Sequence, residues 1–76
     1  MNNDRWEVSE VWFCAEEQSW VVTAYDYDGN IVGESDYSYL KVDAIDTAEM
    51  YLQSDRCGAV KIFTKDGRLQ RTIKNK

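Results

Sequence analysis

The chain has 76 residues, 43% of them hydrophobic and 13% aromatic, with 14 acidic and nine basic side chains and a net charge of −5. That length suits one domain near the lower limit for a self-sufficient core, and the aromatic content excludes a disordered chain. Histidine is absent, which removes Ser-His and Cys-His nucleophile pairs and imidazole metal sites.

The first residues, MNNDRWEVSE, have neither a basic n-region nor an apolar h-region, so no signal peptide is expected. Cys14 and Cys57 are too few for a disulfide framework and form no C-x-x-C pair, which predicts two reduced thiols in a cytoplasmic protein. No apolar run approaches the ~20 residues that span a bilayer. In chain order, β-branched and aromatic runs predict strands at 6–14, 19–27 and 30–37. A helix follows at 40–54, where Leu40, Ala44, Ile45, Ala48, Tyr51 and Leu52 recur at the spacing of one helical face. Ser38 is its candidate N-cap, Asp43 suits its early turns, and Gly58 is a candidate left-handed stop. Strands at 59–65 and 68–73 complete a single domain over 1–76, with residues 1–5 and 74–76 expected as flexible ends.

The stretch AYDYDGNIVGE, from Ala24 to Glu34, crowds carboxylates together like a cation loop. Counted from Asp26, the first, third and fifth positions are Asp26, Asp28 and Asn30, as an EF-hand calcium loop requires. Position 6 is Ile31 instead of glycine, however, and position 12 is Tyr37 instead of glutamate. Asp28-Gly29 between two strand-like runs reads as a two-residue hairpin turn, and Asp66-Gly67 repeats it. No metal site and no cofactor are expected. With no G-x-x-x-x-G-K and no G-x-G-x-x-G in the chain, nucleotide cradles are missing too, and no enzyme is expected.

Strand alternation divides these residues between two faces. Pairing through a turn at Glu16-Glu17 sets Phe13 against Trp20 and Val11 against Val22. Those residues, with Ile31, form the bed for the helix, and Val60, Ile62, Leu69 and Ile73 share one face of the last hairpin. The expected fold is α+β, an antiparallel sheet of four to five strands with one helix packed on one face, in the order β-β-β-α-β-β. Trp6, Val8, Trp12, Val21, Tyr25, Tyr27 and Val32 fall on the side without a helix. An aromatic patch there, rimmed by acids, marks an interaction surface; a bend near Glu10 would instead return Trp6 and Trp12 to the core.

Charge is divided along the chain. Trp6 to Asp55 holds twelve acids and one base, Lys41, whereas Arg56 onward holds seven bases and one acid, Asp66. The blocks carry −11 and +6. Such polarity bears on partners more than on fold. Either the basic hairpin neutralises neighbouring acidic strands, or the acidic surface fits a basic, nucleic-acid-binding protein where phosphates normally lie. A third reading has the basic hairpin bind nucleic acid directly, although the rest of the molecule would repel phosphate.

QSWVV, LKVDAIDTAEMYL and VKIFTKDGRLQRTI, in that order, resemble a family of small bacterial domains with a strand-strand-helix-strand-strand layout. The matching positions are Trp20, Val22, Ala44, Ala48, Asp66, Gly67 and Arg68, over about residues 19–73. The chain departs at the helix start, where Leu40 stands in place of a capping threonine. The resemblance implies the fold and brings no catalytic residues. DAIDTAEMYLQSDRCGAVKIF is similar in layout to small phage proteins that inhibit bacterial RNA polymerase. The expected function is therefore non-catalytic binding of a basic protein partner, in the manner of such an inhibitor. Its contact residues are expected to be Trp6, Trp12, Tyr25, Tyr27, Val32, Glu34 and Asp36. A structural homodimer through the open aromatic face is the alternative, and a membrane partner is not expected.

Overall fold

Five strands and one helix follow one another as β1 (Trp6–Cys14), β2 (Ser19–Tyr25), β3 (Ile31–Glu34), α1 (Lys41–Gln53), β4 (Cys57–Phe63) and β5 (Leu69–Lys74). The computed structural model describes residues 6–75; of the expected flexible ends, residues 1–5 and 76 lie outside the described residues. Lys74 closes β5, and Asn75 is tied to Gly58 by a backbone bond of 2.8 Å. Among the described residues no helix is long and apolar enough to cross a membrane.

The β1–β2 hairpin has the expected register, with Phe13 opposite Trp20, Trp12 opposite Val21 and Val11 opposite Val22. The sheet order is β3-β2-β1-β4-β5. Contrary to expectation the sheet is mixed, because β1 and β4 run parallel, from Trp6 opposite Cys57 to Val11 opposite Ile62. The cause is the helical crossover from β3, which carries the chain over two strands and sets β4 beside β1. Parallel neighbours require a connection of that kind. Face alternation is the same for either direction, so the pattern of apolar residues could not reveal it.

Both Asp-Gly turns are three-residue loops, not the expected two-residue turns. Asp26 N–H donates to Asn30 O at 2.9 Å and Gly29 N–H to Asp26 O at 3.1 Å; Thr64 and Arg68, then Gly67 and Thr64, repeat this at 2.7 and 3.0 Å. Gly29 (φ 85°) and Gly67 (φ 92°) hold the left-handed positions that close such loops. Each loop is accompanied by a register shift, between Ala24 and Tyr25 and between Ile62 and Phe63. As a result Ile31 lies opposite Tyr25, and Leu69 opposite Phe63. Ile31 was expected under the helix and Leu69 on one face with Val60, Ile62 and Ile73, yet Ile31 is 64% and Leu69 54% exposed. Gly67→Ala and Gly29→Ala should each cost about 1 kcal/mol, because a Cβ is strained at positive φ; denaturant unfolding of the single variants checks this.

The helix begins one residue later than the sequence suggested, and its N-cap is Leu40, which supplies no side-chain bond. Ser38, the expected cap, is instead held by β2: Trp20 N–H donates to Ser38 O at 2.7 Å and Ser38 N–H to Trp20 O at 2.8 Å. At the other end Asp55 takes the left-handed position (φ 61°) expected of Gly58. Asp55 N–H bonds Leu52 O at 3.2 Å and Arg56 N–H bonds Tyr51 O at 2.9 Å, the paired closure of a Schellman motif. Gly58 serves the sheet, since a Cβ there would meet Glu7 O at 3.2 Å. The Asn75 side chain fastens this corner, donating to Cys57 O and Asp55 Oδ1 at 3.1 Å and to Leu52 O at 3.3 Å. Asn75→Ala should lower stability by about 1–2 kcal/mol, measured by urea unfolding.

Ala44 and Ala48 press α1 against Val11, Trp20, Val22, Val60 and Ile62, with Phe13, Ile45, Tyr51, Leu52 and Ile73 around them. Their small side chains let the helix backbone approach the sheet closely. Ser9 and Thr23 are polar and buried, yet each accepts an indole N–H, from Trp6 and Trp12 respectively, at 2.7 Å. No buried side-chain polar atom lacks a partner among the described residues.

Candidate interaction surface

The expected contact residues do not form one patch. Trp6 turns to the helix side, where its ring meets Tyr51 edge-on at 5.2 Å and its Nε1–H reaches buried Ser9. That corrects its assignment to the helix-free face. The reason is local: Trp6 lies beyond the β1–β2 ladder, which begins at Val8, and pairs only with Cys57 of β4. Free of β2, its ring takes the helical neighbour. Trp12 does stay on the helix-free face, half-buried and bonded to Thr23, while Tyr25 stands half-buried at the end of β2. Burial raises the Tyr25 phenol's pKa, helped by the charge of Glu10 and a hydrogen bond to it. Glu10 itself lies opposite Lys61, so this face mixes aromatic and ionic groups.

Tyr27, Val32, Glu34 and Asp36 gather elsewhere, along β3 and the loops at its ends. Tyr27 is 68% and Val32 53% exposed, and both carboxylates are exposed. β3 is only four residues long and forms one edge of the sheet, so among the described residues no strand neighbours its outer backbone groups. The apolar surface continues through Ile31, Tyr37, Tyr39, Leu40 and Val42, all exposed. Sequence reasoning missed these residues by assigning Ile31 and Leu40 to the covered side. The signal was present in Ser35 and Ser38, whose bonds to β2 at Val22 and Trp20 spend the backbone of this segment and leave its tyrosines outside.

Electrostatics sharpens the division. Glu34 raises the Tyr37 hydroxyl's pKa first among several causes, with Glu17 and Glu16 adding to it, so this flank carries a negative field. Asp26 is spent on structure: its Oδ1 accepts from the Asn30 and Asp28 amides, both at 2.9 Å. The Asn30 amide is the leading cause that holds its carboxyl below the usual carboxylate range. Because the folded value is the depressed one, this contribution is complete above the unfolded carboxylate range and is lost as pH falls through the folded value. We expect the Gly29 and Asn30 amide resonances to shift at a pH below that of a free aspartate, and an acid titration by NMR reads it directly.

The bases occupy the opposite edge. Arg68 and Lys74 are exposed on or beside β5, and Arg71 reaches Glu49 of α1 at 3.9 Å. Arg68 pairs within its own turn with Asp66 at 3.3 Å. The blocks meet where Arg71 reaches Glu49, while one strand of each, β3 and β5, forms an edge of the sheet. Lys41, the base inside the acidic block, lies over the Trp20 ring at 4.8 Å and donates to Gln70.

Little here could hold a small molecule. A small cleft of about 50 Å3 is lined by Trp6, Tyr51, Val22, Ala24, Gly33, Glu34 and Ser35, so Trp6 approaches the β3 flank from the helix side. Among the described residues no three Cys, Asp or Glu side chains gather as metal ligands. Cys57 is buried, which pushes its thiol's pKa up. No family model matches this chain, and neither a curated protein nor a solved structure matches it.

Proposed function

We propose that this chain is a non-catalytic protein-interaction module whose β3 flank docks a basic protein surface. The observation that carries this reading is the coincidence of exposed Tyr27, Ile31 and Val32 with exposed Glu34 and Asp36 on one open sheet edge. The apolar groups would supply desolvated contact area, and the carboxylates would guide approach and fix register. A narrower form of the proposal is a phage-type inhibitor that occupies the basic groove of a nucleic-acid-binding protein or RNA polymerase. It rests on the charge pattern and on the resemblance in layout. A homodimer through the helix-free face has less support, because Trp12 and Tyr25 are half-buried there and Glu10 and Lys61 lie among them. Nucleic-acid binding by the β4–β5 hairpin ranks below both.

Capture from bacterial lysate at low and high salt tests the proposal, with variants as the discriminating arm. Tyr27→Ala should weaken binding of the captured protein about tenfold, or about 1.4 kcal/mol. Glu34→Lys with Asp36→Lys should slow association and flatten its salt dependence. Trp12→Ala should leave affinity unchanged. A captured partner held equally well by the Tyr27 and Glu34/Asp36 variants would reject the β3 flank as the site.

A further inference from the structure

The two open edges of this sheet are not alike. β3 carries Glu34, with Asp28 and Asp36 in the adjoining loops, while β5 carries Lys74 and Arg71, with Arg68 beside it. Both edges are exposed, and among the described residues neither has a further strand beside it, which leaves each as the usual template for pairing with another chain. Charge decides which pairings are open. Two β3 edges would oppose acid to acid, and two β5 edges base to base. Only β3 against β5 brings opposite signs together.

Strand direction agrees with charge. β2 is antiparallel to both β1 and β3, β4 is parallel to β1, and β5 is antiparallel to β4. β3 therefore points along β1, and β5 points against it. A second copy set beside the first with its strands in the same sense would pair β5 of one with β3 of the next as antiparallel neighbours. Antiparallel pairing is the more stable kind per residue. In that antiparallel pairing the start of β5 faces the end of β3, which brings Arg68 toward Glu34 and Asp36 and Lys74 toward Asp28.

We infer that this protein self-associates head to tail, the basic β5 edge of one copy docking on the acidic β3 edge of the next to extend a single sheet. The inference rests on the reading of the β3 flank as an acidic docking surface, and it names one basic surface for it, the β5 edge of a second copy of this chain. The contact is heterologous, so it leaves a free edge at each end and grows instead of stopping at a symmetric dimer. With only four residues in β3 the ladder is short, which makes the association weak and dependent on concentration and salt.

Sedimentation velocity of the full chain over a rising concentration series, at low salt and at about 1 M salt where the screening length is about 3 Å, is the test. The weight-average mass should climb with concentration at low salt and return to that of the monomer at high salt. Glu34→Lys with Asp36→Lys makes both edges basic, and Arg68→Glu with Lys74→Glu makes both acidic. Each double variant alone should associate about tenfold more weakly than the parent, and an equimolar mixture of the two should regain association. A parent that stays monomeric at high micromolar concentration and low salt overturns the inference. So does a double variant that associates like the parent, which would place the contact on another face. If the parent is monomeric while lysate capture is still lost in the Glu34/Asp36 variant, self-association fails and the docking reading stands. If capture survives in that variant, both fail.

Discussion

Trp20→Ala is expected to destabilise the protein by about 3–5 kcal/mol. Trp20 is 9% exposed and stands where β2, the 35–38 segment and the helix meet. Its ring takes the edge of Phe13 at 5.3 Å and carries the Lys41 ammonium on its face at 4.8 Å. Truncation removes the core's largest buried ring and leaves a cavity that rigid β2 cannot close, being paired on both sides by β1 and β3. A domain of this size has a total stability of about 4–11 kcal/mol at ordinary per-residue values. The loss is therefore at least about a quarter of the whole. Urea unfolding followed by far-ultraviolet circular dichroism should show the midpoint falling by at least about a quarter, while Trp20→Phe keeps most of it. A loss below about 1 kcal/mol would mean that the ring is not packed as described.

Much of this core was legible because it depends on alternation alone. Val11, Trp20, Val22, Ala44 and Ala48 were read onto the covered side from period-two and period-3.6 spacing, and Val60 and Ile62 onto one face of the last hairpin; all are buried. The Phe13–Trp20 register followed from one tight turn. What escaped depends on geometry beyond one strand pair. The parallel β1–β4 ladder is set by where a crossover lands, and no residue of β1 or β4 encodes it locally. A three-residue loop and a two-residue loop share the Asp-Gly signature, so the bulges that expose Ile31 and Leu69 were invisible. Trp6 was assigned by extending the alternation of β1 past the last residue that β2 pairs. Of the expected contact residues, Tyr27, Val32, Glu34 and Asp36 came together because they are near in sequence along one edge. Trp6 needed the position of the helix, which lies 45 residues further along at Tyr51.

The same edge placement explains why the charge blocks matter. In a sheet, order in sequence need not match order in space, and −11 and +6 could have been interleaved. Here the hairpin that closes the chain becomes the outermost pair on one side, and the shortest strand of the acidic block becomes the edge on the other. Among the described residues the one cross-strand register pair of opposite charge is Glu10 and Lys61, on the β1–β4 seam. The outer edges keep their signs, and a surface of single sign is what gives long-range attraction to an oppositely charged partner.

Trp6→Ala separates stability from binding and should cost about 2–3 kcal/mol, less than Trp20 because Trp6 is only half-buried. The loss has two sources. The edge-on contact with Tyr51 at 5.2 Å ties β1 to the last turn of α1, and the indole N–H satisfies Ser9, which is fully buried. Trp6→Phe should restore the aromatic contact and recover part of the loss. A double-mutant cycle between Trp6 and Tyr51 should give a coupling of about 0.5–1.5 kcal/mol. Binding by the folded fraction should change less than in Tyr27→Ala, since Trp6 packs on the helix and meets the β3 flank only in the cleft it shares with Gly33, Glu34 and Ser35. The reverse result, full stability with affinity reduced about tenfold, would place Trp6 in the contact surface and make its packing on Tyr51 incidental.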